Sequence, residues 1–333
     1  MKPAKEQTRP SSRKPRQPNK PSIAIIGAGR LGTALGFALR ASGHTINIAI
    51  TRSPRSARRA LQLLESKAAS IGSKGLDQLS QPNRQLIQQS DVILIATPDD
   101  SIPQVAVQLR TLLDHPGTGS KRKLSTSRSA AFHTSGALTS KVLDPIRELG
   151  LAIGSIHPLT SVSSQNFQAS SFSHTHFAVE GDPAAIRLGK QLVRDLGGDS
   201  FVIDAERKPL YHAAALMASP NLTALVDIAI EMLTLCGISA KRARQILLPL
   251  INSTIENLAR QDPRQSLTGT FKRGDIATVR MHLAAIASER LTEAMQAYTT
   301  LGKRSLKLSS LARTKRLAIE SLLDGALTGS PKR

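Results

Sequence analysis

The chain has 333 residues, a formal net charge of +21 and one cysteine, and it is 40% hydrophobic but only 3% aromatic. This length suits two domains of ordinary size, and the apolar content excludes a wholly disordered chain. The lone Cys236 excludes an internal disulfide, the first twenty residues lack the apolar core of a signal peptide, and no run reaches the roughly 18 uninterrupted apolar residues of a membrane span. We therefore expect a soluble cytoplasmic protein that does not bind membranes.

The positive charge is unevenly distributed. Twelve of the 21 excess charges lie in residues 1–20, 115–130 and 332–333, in segments rich in Pro, Ser, Gly and Thr. Such segments bury too little apolar surface to offset chain entropy, so we expect them to be mobile. A mobile basic tail attracts polyphosphates, but a solubilising extension is the more common explanation, and we do not expect nucleic acid to be the main partner.

Short apolar runs alternate with helical patterns through the first two hundred residues. Residues 22–26 predict a buried strand and 31–41 a helix, followed by a strand over 46–50 and a helix that begins at Ser53 and Pro54. Further along, the pattern predicts strands over 91–96, 129–133, 152–156, 177–180 and 200–203, and helices over 102–113 and 183–196. Alternation of this kind predicts a Rossmann-type, mostly parallel sheet whose helices form right-handed crossovers.

The pattern becomes entirely helical from about Glu206. Helices are predicted over 212–236, 239–260, 275–301 and 308–323. We place the domain boundary near Asp204, so that an α/β domain is followed by an all-helical C-terminal domain. The predicted segments are a disordered basic tail over 1–20, a Rossmann domain over 21–204 with a mobile insert at about 115–128, a helical domain over 205–324 and a tail over 325–333.

A glycine motif joins the first predicted strand to the first helix. Gly27-Ala28-Gly29-Arg30-Leu31-Gly32 matches G-x-G-x-x-G, whose glycines allow a tight turn, close approach of a pyrophosphate and close helix–strand packing. The helix that follows offers free backbone amides and the positive end of its dipole. The motif therefore predicts an NAD(P) site; a merely structural glycine-rich turn is the alternative.

The end of the second strand indicates which dinucleotide binds. An NAD enzyme places an acidic residue there for the ribose hydroxyls, whereas this strand ends in Thr51, Arg52 and Ser53, with Arg55 close by. A guanidinium and a hydroxyl can hold a 2′-phosphate through charge-assisted hydrogen bonds. We therefore expect NADP to be preferred over NAD; an ordinary solvated Arg52 is the alternative.

Polar turns follow the strand ends, where ligands bind in open α/β sheets. We expect Thr97 and Pro98 to pack near the nicotinamide ribose, at the end of the strand nearest the cofactor. Ser135 and Gly136 can present a hydroxyl and a backbone amide to a substrate anion. His157 can donate a proton or a hydrogen bond at neutral pH, although a structural histidine is an equal alternative.

The start of the helical domain adds further candidates. Lys208 and His212 are four residues apart and project from one helix face, which suits delivery of a proton to the oxygen or nitrogen formed when a carbonyl or imine is reduced. Asn221 can orient the substrate. Arg273 can attract an acidic substrate, or it can be a surface residue beside an Asp275 N-cap. No cluster has metal-ligand spacing.

These motifs resemble, in this order, those of a known family. The shared segments are 27–32, 97–100, 133–136, 155–159, 211–214, 267–270 and 273–275. They are similar to the Rossmann-like proteins whose C-terminal half is domain of unknown function 2520, a branch of the 6-phosphogluconate dehydrogenase and pyrroline-5-carboxylate reductase group. The resemblance covers about 21–323 and implies an NADP oxidoreductase that dimerises through its helical domain.

The resemblance also bears on the catalytic residues. In related β-hydroxyacid dehydrogenases a catalytic lysine is followed four residues later by an asparagine; Lys208 matches the lysine, and His212 stands in place of the asparagine. We expect an NADP-dependent oxidoreductase acting on a small, anionic carbonyl or imine compound. The alternatives are a catalytically inactive NAD(P)H-binding sensor or regulatory protein and a nucleic-acid-associated protein that uses its basic tail.

Overall fold

The computed structural model describes residues 20–72, 75–114, 129–162 and 168–328. The predicted basic tail, except Lys20, and the predicted insert at 115–128 lie outside these residues. The chain divides into two compact units between Ala215 and Leu216, about eleven residues beyond the predicted boundary near Asp204.

The first unit is built on one sheet of eight strands. In chain order the strands are β1 (Ile23–Ile26), β2 (Ile46–Thr51), β3 (Lys67–Ser70), β4 (Val92–Ile95), β5 (Ala130–His133), β6 (Ala152–Pro158), β7 (His176–Gly181) and β8 (Asp199–Val202). Their spatial order is β3-β2-β1-β4-β5-β6-β7-β8. All neighbouring pairs are parallel except β6 and β7, which confirms the predicted mostly parallel Rossmann-type sheet.

Helices cover both faces of this sheet. They are α1 (Arg30–Ala41), α2 (Pro54–Leu64), α3 (Gln81–Gln88), α4 (Ile102–Asp114), α5 (Asp144–Arg147) and α6 (Pro183–Asp195). Side chains alternate along each strand, so Ile23 and Ile25 join one buried cluster with α1, α2 and α6, while Ala24 and Ile26 join the other with α3, α4 and α5. Burial on both faces explains why these strands are continuously apolar.

One strand, β3, is not predicted from the sequence. It reads Lys-Ala-Ala-Ser, and its terminal residues Lys67 and Ser70 are exposed. It lies at the edge of the sheet, none of its four residues is buried, and it lacks the apolar run that marks the central strands.

The second unit is helical. After α7 (Lys208–Ala218), which crosses the boundary, come α8 (Pro220–Leu235), α9 (Ala240–Arg260), α10 (Pro263–Ser266), α11 (Gly269–Arg273), α12 (Ile276–Ser288), α13 (Thr292–Leu308) and α14 (Arg313–Thr328). The single helix predicted over 275–301 is wrong: Arg290 takes a left-handed φ of 56° between α12 and α13. The helix predicted over 212–236 is likewise divided at Ser219, and α14 includes 325–328, which the sequence assigned to a tail.

One stretch of the described residues, Ala205–Leu235, is long and apolar enough by length and composition to cross a membrane. Its 18-residue window has a mean hydropathy of 1.5 and is not buried in the protein. Counting uninterrupted apolar residues misses this stretch, because Ser219, Asn221 and Asp227 interrupt it. A single helix of this kind is weak evidence for a membrane span.

Candidate functional site

A cavity of about 1010 Å³ lies at the carboxyl ends of the parallel strands of the first unit. Ligands in open α/β sheets bind at this edge. The predicted site residues that line it are Gly27, Ala28, Gly29, Arg30, Leu31, Arg52, Ser53, Thr97, Pro98, Ser135, Gly136, His157 and His212. Gly32 and Lys208 are buried and are not among the lining residues.

The three glycines of the turn differ in how closely other atoms approach them. Gly27 has a φ of +93°, and a Cβ there would lie 2.7 Å from the carbonyl carbon of Ala96. A Cβ at Gly32 would collide with the carbonyl oxygen of Gly27. A Cβ at Gly29, by contrast, would meet nothing nearer than 4.0 Å. Packing therefore demands the first and third glycines, while the second leaves open space at the start of α1.

The start of α1 has the properties of an anion site. Gly29 is its N-cap residue, and no side chain caps the helix. The first-turn amides therefore lack a side-chain acceptor, and they lie at the positive end of the helix dipole. The open space at Gly29 and these amides together fit a pyrophosphate.

Thr97 carries an unsatisfied polar atom in the same cavity. Its Oγ1 is buried and has no hydrogen-bond partner among the described residues. Leaving a buried hydroxyl unpaired costs about 1–3 kcal/mol, so a polar ligand group beside Thr97 would recover that cost.

The second strand and α2 form the far end of the cavity. Arg52 is exposed and lines it together with Ser53 and Ser56. The hydroxyl of Ser53 caps α2 by accepting from the Ser56 amide at 3.2 Å and donates to the Ser56 hydroxyl at 2.9 Å. Arg55 does not line the cavity. A guanidinium beside two hydroxyls and a helix N-terminus fits a phosphate.

Ser135 uses its hydroxyl to shape a turn. The Oγ accepts from the amides of Ala137 at 3.2 Å and Leu138 at 3.0 Å, and it donates to Oδ2 of Asp99 at 2.6 Å. A serine hydroxyl has one proton and two lone pairs, so these bonds occupy all of them. This is a structural use of the hydroxyl, and the predicted role of Ser135 toward substrate stays a prediction. Asp99 was not among the predicted site residues.

Lys208 is completely buried behind the cavity wall. Its ammonium donates to Oγ of Ser155 at 2.6 Å and to the carbonyl of Ser135 at 3.1 Å, and it lies 3.9 Å from Oε2 of Glu180. Burial lowers the pKa of Lys208 to about 8, although the charges of Glu180 and Asp99 oppose this shift. These contacts let Lys208 fix the turn at Ser135, and its predicted role in delivering a proton to the substrate stays a prediction.

Two histidines meet at the open end of this turn. The rings of His157 and His212 stand edge to face with their centroids 5.3 Å apart, and Nδ1 of His212 is buried without a hydrogen-bond partner. A Cβ on Gly136 would collide with Nδ1 of His212 and lie 3.0 Å from Nε2 of His157. Burial, together with the nearby charges of His212 and Lys208, lowers the pKa of His157 to about 4.

Tyr211 is a site residue that the sequence analysis did not select. Its hydroxyl lies 2.7 Å from Nδ1 of His157, and burial raises the pKa of Tyr211 to about 12. The available signal was its position next to His212 at the start of a helix, but the partner lies 54 residues earlier in the chain.

The remaining candidates belong to the second unit. The Asn221 amide donates to Sδ of Met217 at 3.0 Å, and Arg273 binds Asp275 through Nε at 2.9 Å and a terminal nitrogen at 2.7 Å. Their roles toward substrate stay predictions. Among the described residues, no group of three or more His, Cys, Asp or Glu side chains could hold a metal ion.

Two family models match the chain. Residues 22–116 match the model described as NADP oxidoreductase coenzyme F420-dependent, and residues 175–305 match domain of unknown function 2520. No curated protein matches the chain.

Solved structures share the fold. A Bacteroides fragilis protein assigned as an NADP oxidoreductase is 20% identical, with a TM-score of 0.66, over 87% of this chain and 99% of its own. Pyrroline carboxylate reductase from Plasmodium falciparum, with NADP bound, is 11% identical, with a TM-score of 0.53, over 93% of this chain and 98% of its own. An NADH-preferring ketol-acid reductoisomerase from an uncultured archean is 13% identical, with a TM-score of 0.56, over 94% and 95%. At these identities the likeness shows the fold alone.

Proposed function

Because the chain belongs to the family that joins a Rossmann NADP oxidoreductase domain to domain of unknown function 2520, we propose that it is an NADP-dependent oxidoreductase acting on a small carbonyl or imine compound. The observation that carries the proposal is Gly29. Its neighbours Gly27 and Gly32 are required by packing, whereas Gly29 leaves space over uncapped helix amides, which is what a bound pyrophosphate requires.

The chain's own residues fit the rest of the dinucleotide. Arg52, Ser53 and Ser56 would hold a 2′-phosphate, which supports NADP over NAD. The unpaired hydroxyl of Thr97 would bind near the nicotinamide ribose. When bound, the dinucleotide supplies or accepts the hydride.

The histidines would handle the proton. His212, as an imidazolium, would give its Nδ1 proton to the substrate oxygen or nitrogen during reduction, become a neutral imidazole, and take the proton back in the reverse direction. His157 would donate a hydrogen bond to the same atom. Gly136 lets the two rings approach the same part of the cavity, because a Cβ there would collide with Nδ1 of His212.

The proposal includes an anionic substrate, which requires a cation near the reacting group. The arginines that line the cavity, Arg30 and Arg52, belong to the phosphate end, and Asp99 is the one acid among its described lining residues. An anionic substrate would therefore need a cation from elsewhere, and Arg273 is our candidate. If so, Arg273→Ala raises KM for a keto acid without changing KM for the corresponding neutral ketone.

Calorimetric titration and turnover test the proposal together. We expect NADPH to bind more tightly than NADH and to be oxidised in the presence of at least one member of a panel of carbonyl and imine compounds. Binding without turnover on the panel would favour the sensor alternative. Absence of binding to either dinucleotide would refute the proposal.

We also propose that a second copy of this chain covers the apolar surface of the helical unit. Large apolar side chains on α8 and α9 are exposed, including Leu235, Ile246, Leu250 and Ile255. Exposed patches of this kind mark interaction sites. We expect a soluble, cytoplasmic protein that light scattering shows to be a homodimer. A monomeric chain that binds lipid vesicles would contradict the dimer and the solubility alike.

A further inference from the structure

The contact between Tyr211 and His157 has a preferred direction. A phenol can donate or accept a hydrogen bond, whereas an imidazole nitrogen without its proton can only accept. The raised pKa of Tyr211 and the lowered pKa of His157 mean that, at neutral pH, the phenol keeps its proton and the imidazole carries only one. The question is which ring nitrogen of His157 carries it.

The hydrogen-bond partners answer this question. Within the described residues, the Tyr211 hydroxyl bonds to Nδ1 of His157 and to no other group. If Nδ1 carried the proton, the tyrosine would have to accept, and its own proton would lack a protein partner. If Nε2 carries the proton, the tyrosine donates to Nδ1 and both groups are satisfied.

We propose that Tyr211 is a positioning residue for the proposed reaction: by donating to Nδ1 of His157, it keeps the ring proton of His157 on Nε2, which lies beside Gly136 in the cavity lining. The inference rests on the proposed function for its kinetic consequence only. The tautomer itself is a property of the chain without ligand.

The proposal gives the two histidines different tasks. A neutral imidazole that lost its Nε2 proton would become an imidazolate, so His157 is a hydrogen-bond donor to the reacting atom and does not release a proton. His212, whose Nδ1 also lies beside Gly136 and has no hydrogen-bond partner among the described residues, is then the group that exchanges the proton. Both rings are needed, and only His212 changes protonation during a turnover.

Nitrogen NMR of the full-length chain labelled at histidine tests the tautomer directly. Long-range proton–nitrogen correlations distinguish the two neutral tautomers, and His157→Gln identifies the signal by removing it. We expect His157 to carry its proton on Nε2 at pH 7.5, and we expect Tyr211→Phe to convert it to a mixture of tautomers. A proton on Nδ1 in the unmodified chain, or an unchanged Nε2 tautomer in Tyr211→Phe, would overturn the proposal.

The second unit supplies a matched control. Tyr298 makes an equivalent bond, with its hydroxyl 2.8 Å from Nδ1 of His282. We expect Tyr298→Phe to change the signal of His282 and to leave the signal of His157 and the turnover number unchanged. An altered His157 tautomer in Tyr298→Phe would mean that the effect is not local, which would contradict the assignment.

Kinetics separate positioning from proton transfer. We expect Tyr211→Phe to lower kcat about tenfold while the Kd for NADPH stays the same. His157→Gln keeps an N–H donor but cannot titrate, so it should retain at least tenfold more activity than His157→Ala and keep the pH profile of the unmodified enzyme. Equal loss in both variants would overturn the donor role of His157. Failure to bind NADPH would remove the proposed function but would leave the NMR result standing.

Discussion

The ammonium of Lys208 lies 2.6 Å from the hydroxyl oxygen of Ser155, and both side chains are fully buried. Ser155 in turn donates to Glu180 at 3.2 Å, and Glu180 also accepts from the amide and the hydroxyl of Ser140 at 2.9 and 2.6 Å. This network ends at the carbonyl of Ser135, which Lys208 also binds. The cavity wall is therefore fixed from behind by a charged group that faces no solvent.

The burial of Lys208 predicts an alkaline rise in stability. Its pKa falls from 10.5 to about 8, so between these values the folded chain binds fewer protons than the unfolded chain. The free energy of unfolding should therefore gain up to roughly 3 kcal/mol from this group as pH rises from 8 to 10.5. Urea unfolding across this pH range gives the free energy of unfolding of the unmodified chain and of Lys208→Met. The difference between their pH dependences measures the gain from Lys208. The exposed Lys141 is the control: Lys141→Met should follow the unmodified chain, and parallel curves for Lys208→Met would contradict the prediction.

The burial of His133 predicts a pH dependence of the same sign in the acid range. Its Nδ1 accepts from the Ser135 amide and its Nε2 bonds to the Thr139 carbonyl, each at 3.2 Å, and burial lowers its pKa to about 3. The unfolded chain binds more protons below pH 6.5, so the free energy of unfolding should fall as pH drops toward 3. We expect His133→Phe to flatten this dependence in thermal melts from pH 7 to 4. His176→Gln, which changes an exposed histidine, is the control and should leave the dependence of Tm on pH unchanged. If His133→Phe also left this dependence unchanged, the His133 imidazole would not be its source.

Alanine substitutions at Gly29 and Gly32 should have different effects, on NADPH binding and on thermal stability respectively. Gly29→Ala fits the space around the turn, so it should leave Tm nearly unchanged while weakening NADPH binding at least tenfold, because its methyl group occupies the place of the pyrophosphate. Gly32→Ala should lower Tm, because its methyl group collides with the Gly27 carbonyl. Differential scanning fluorimetry with and without NADPH distinguishes the two. Normal NADPH affinity in Gly29→Ala would argue against a pyrophosphate there.

Arg52 predicts the dinucleotide preference. Removing one charge-assisted contact should cost about 1.5–3 kcal/mol, so Arg52→Ala should weaken NADPH binding tenfold to a hundredfold and leave NADH binding nearly unchanged. Arg55→Ala is the matched control, since Arg55 is close in sequence but does not line the cavity. Titration calorimetry with both nucleotides measures the ratio, and equal weakening of the two would reject the 2′-phosphate assignment.

The fold could be predicted where the signals are local. Strands buried on both faces read as apolar runs, and the glycine motif specifies its own turn, so both appear in the sequence. The edge strand β3 and the division between α12 and α13 could not be predicted, because one has no apolar run and the other depends on the left-handed backbone of Arg290.

The site was harder to predict, because its chemistry depends on contacts between distant segments. The spacing of Lys208 and His212 correctly places both on the same helical turn of α7. It does not indicate that Lys208 is buried behind the cavity wall while His212 lines the cavity. That difference is set by Glu180, on β7, and Ser135, in the turn that follows β5. The bond from Tyr211 to His157 is of the same kind.

The reversed direction of β7 decides what Glu180 does. Antiparallel pairing sets it directly opposite Ser155, in the middle of β6. If β7 ran in the direction of β1 to β6, Glu180 would lie near the carboxyl ends of those strands, at the rim where ligands enter, and would present an unpaired carboxylate to them. Because β7 runs the other way, Glu180 is instead a buried counter-charge for Lys208. The direction in which β7 runs thus lets a carboxylate balance the buried ammonium behind the histidine pair.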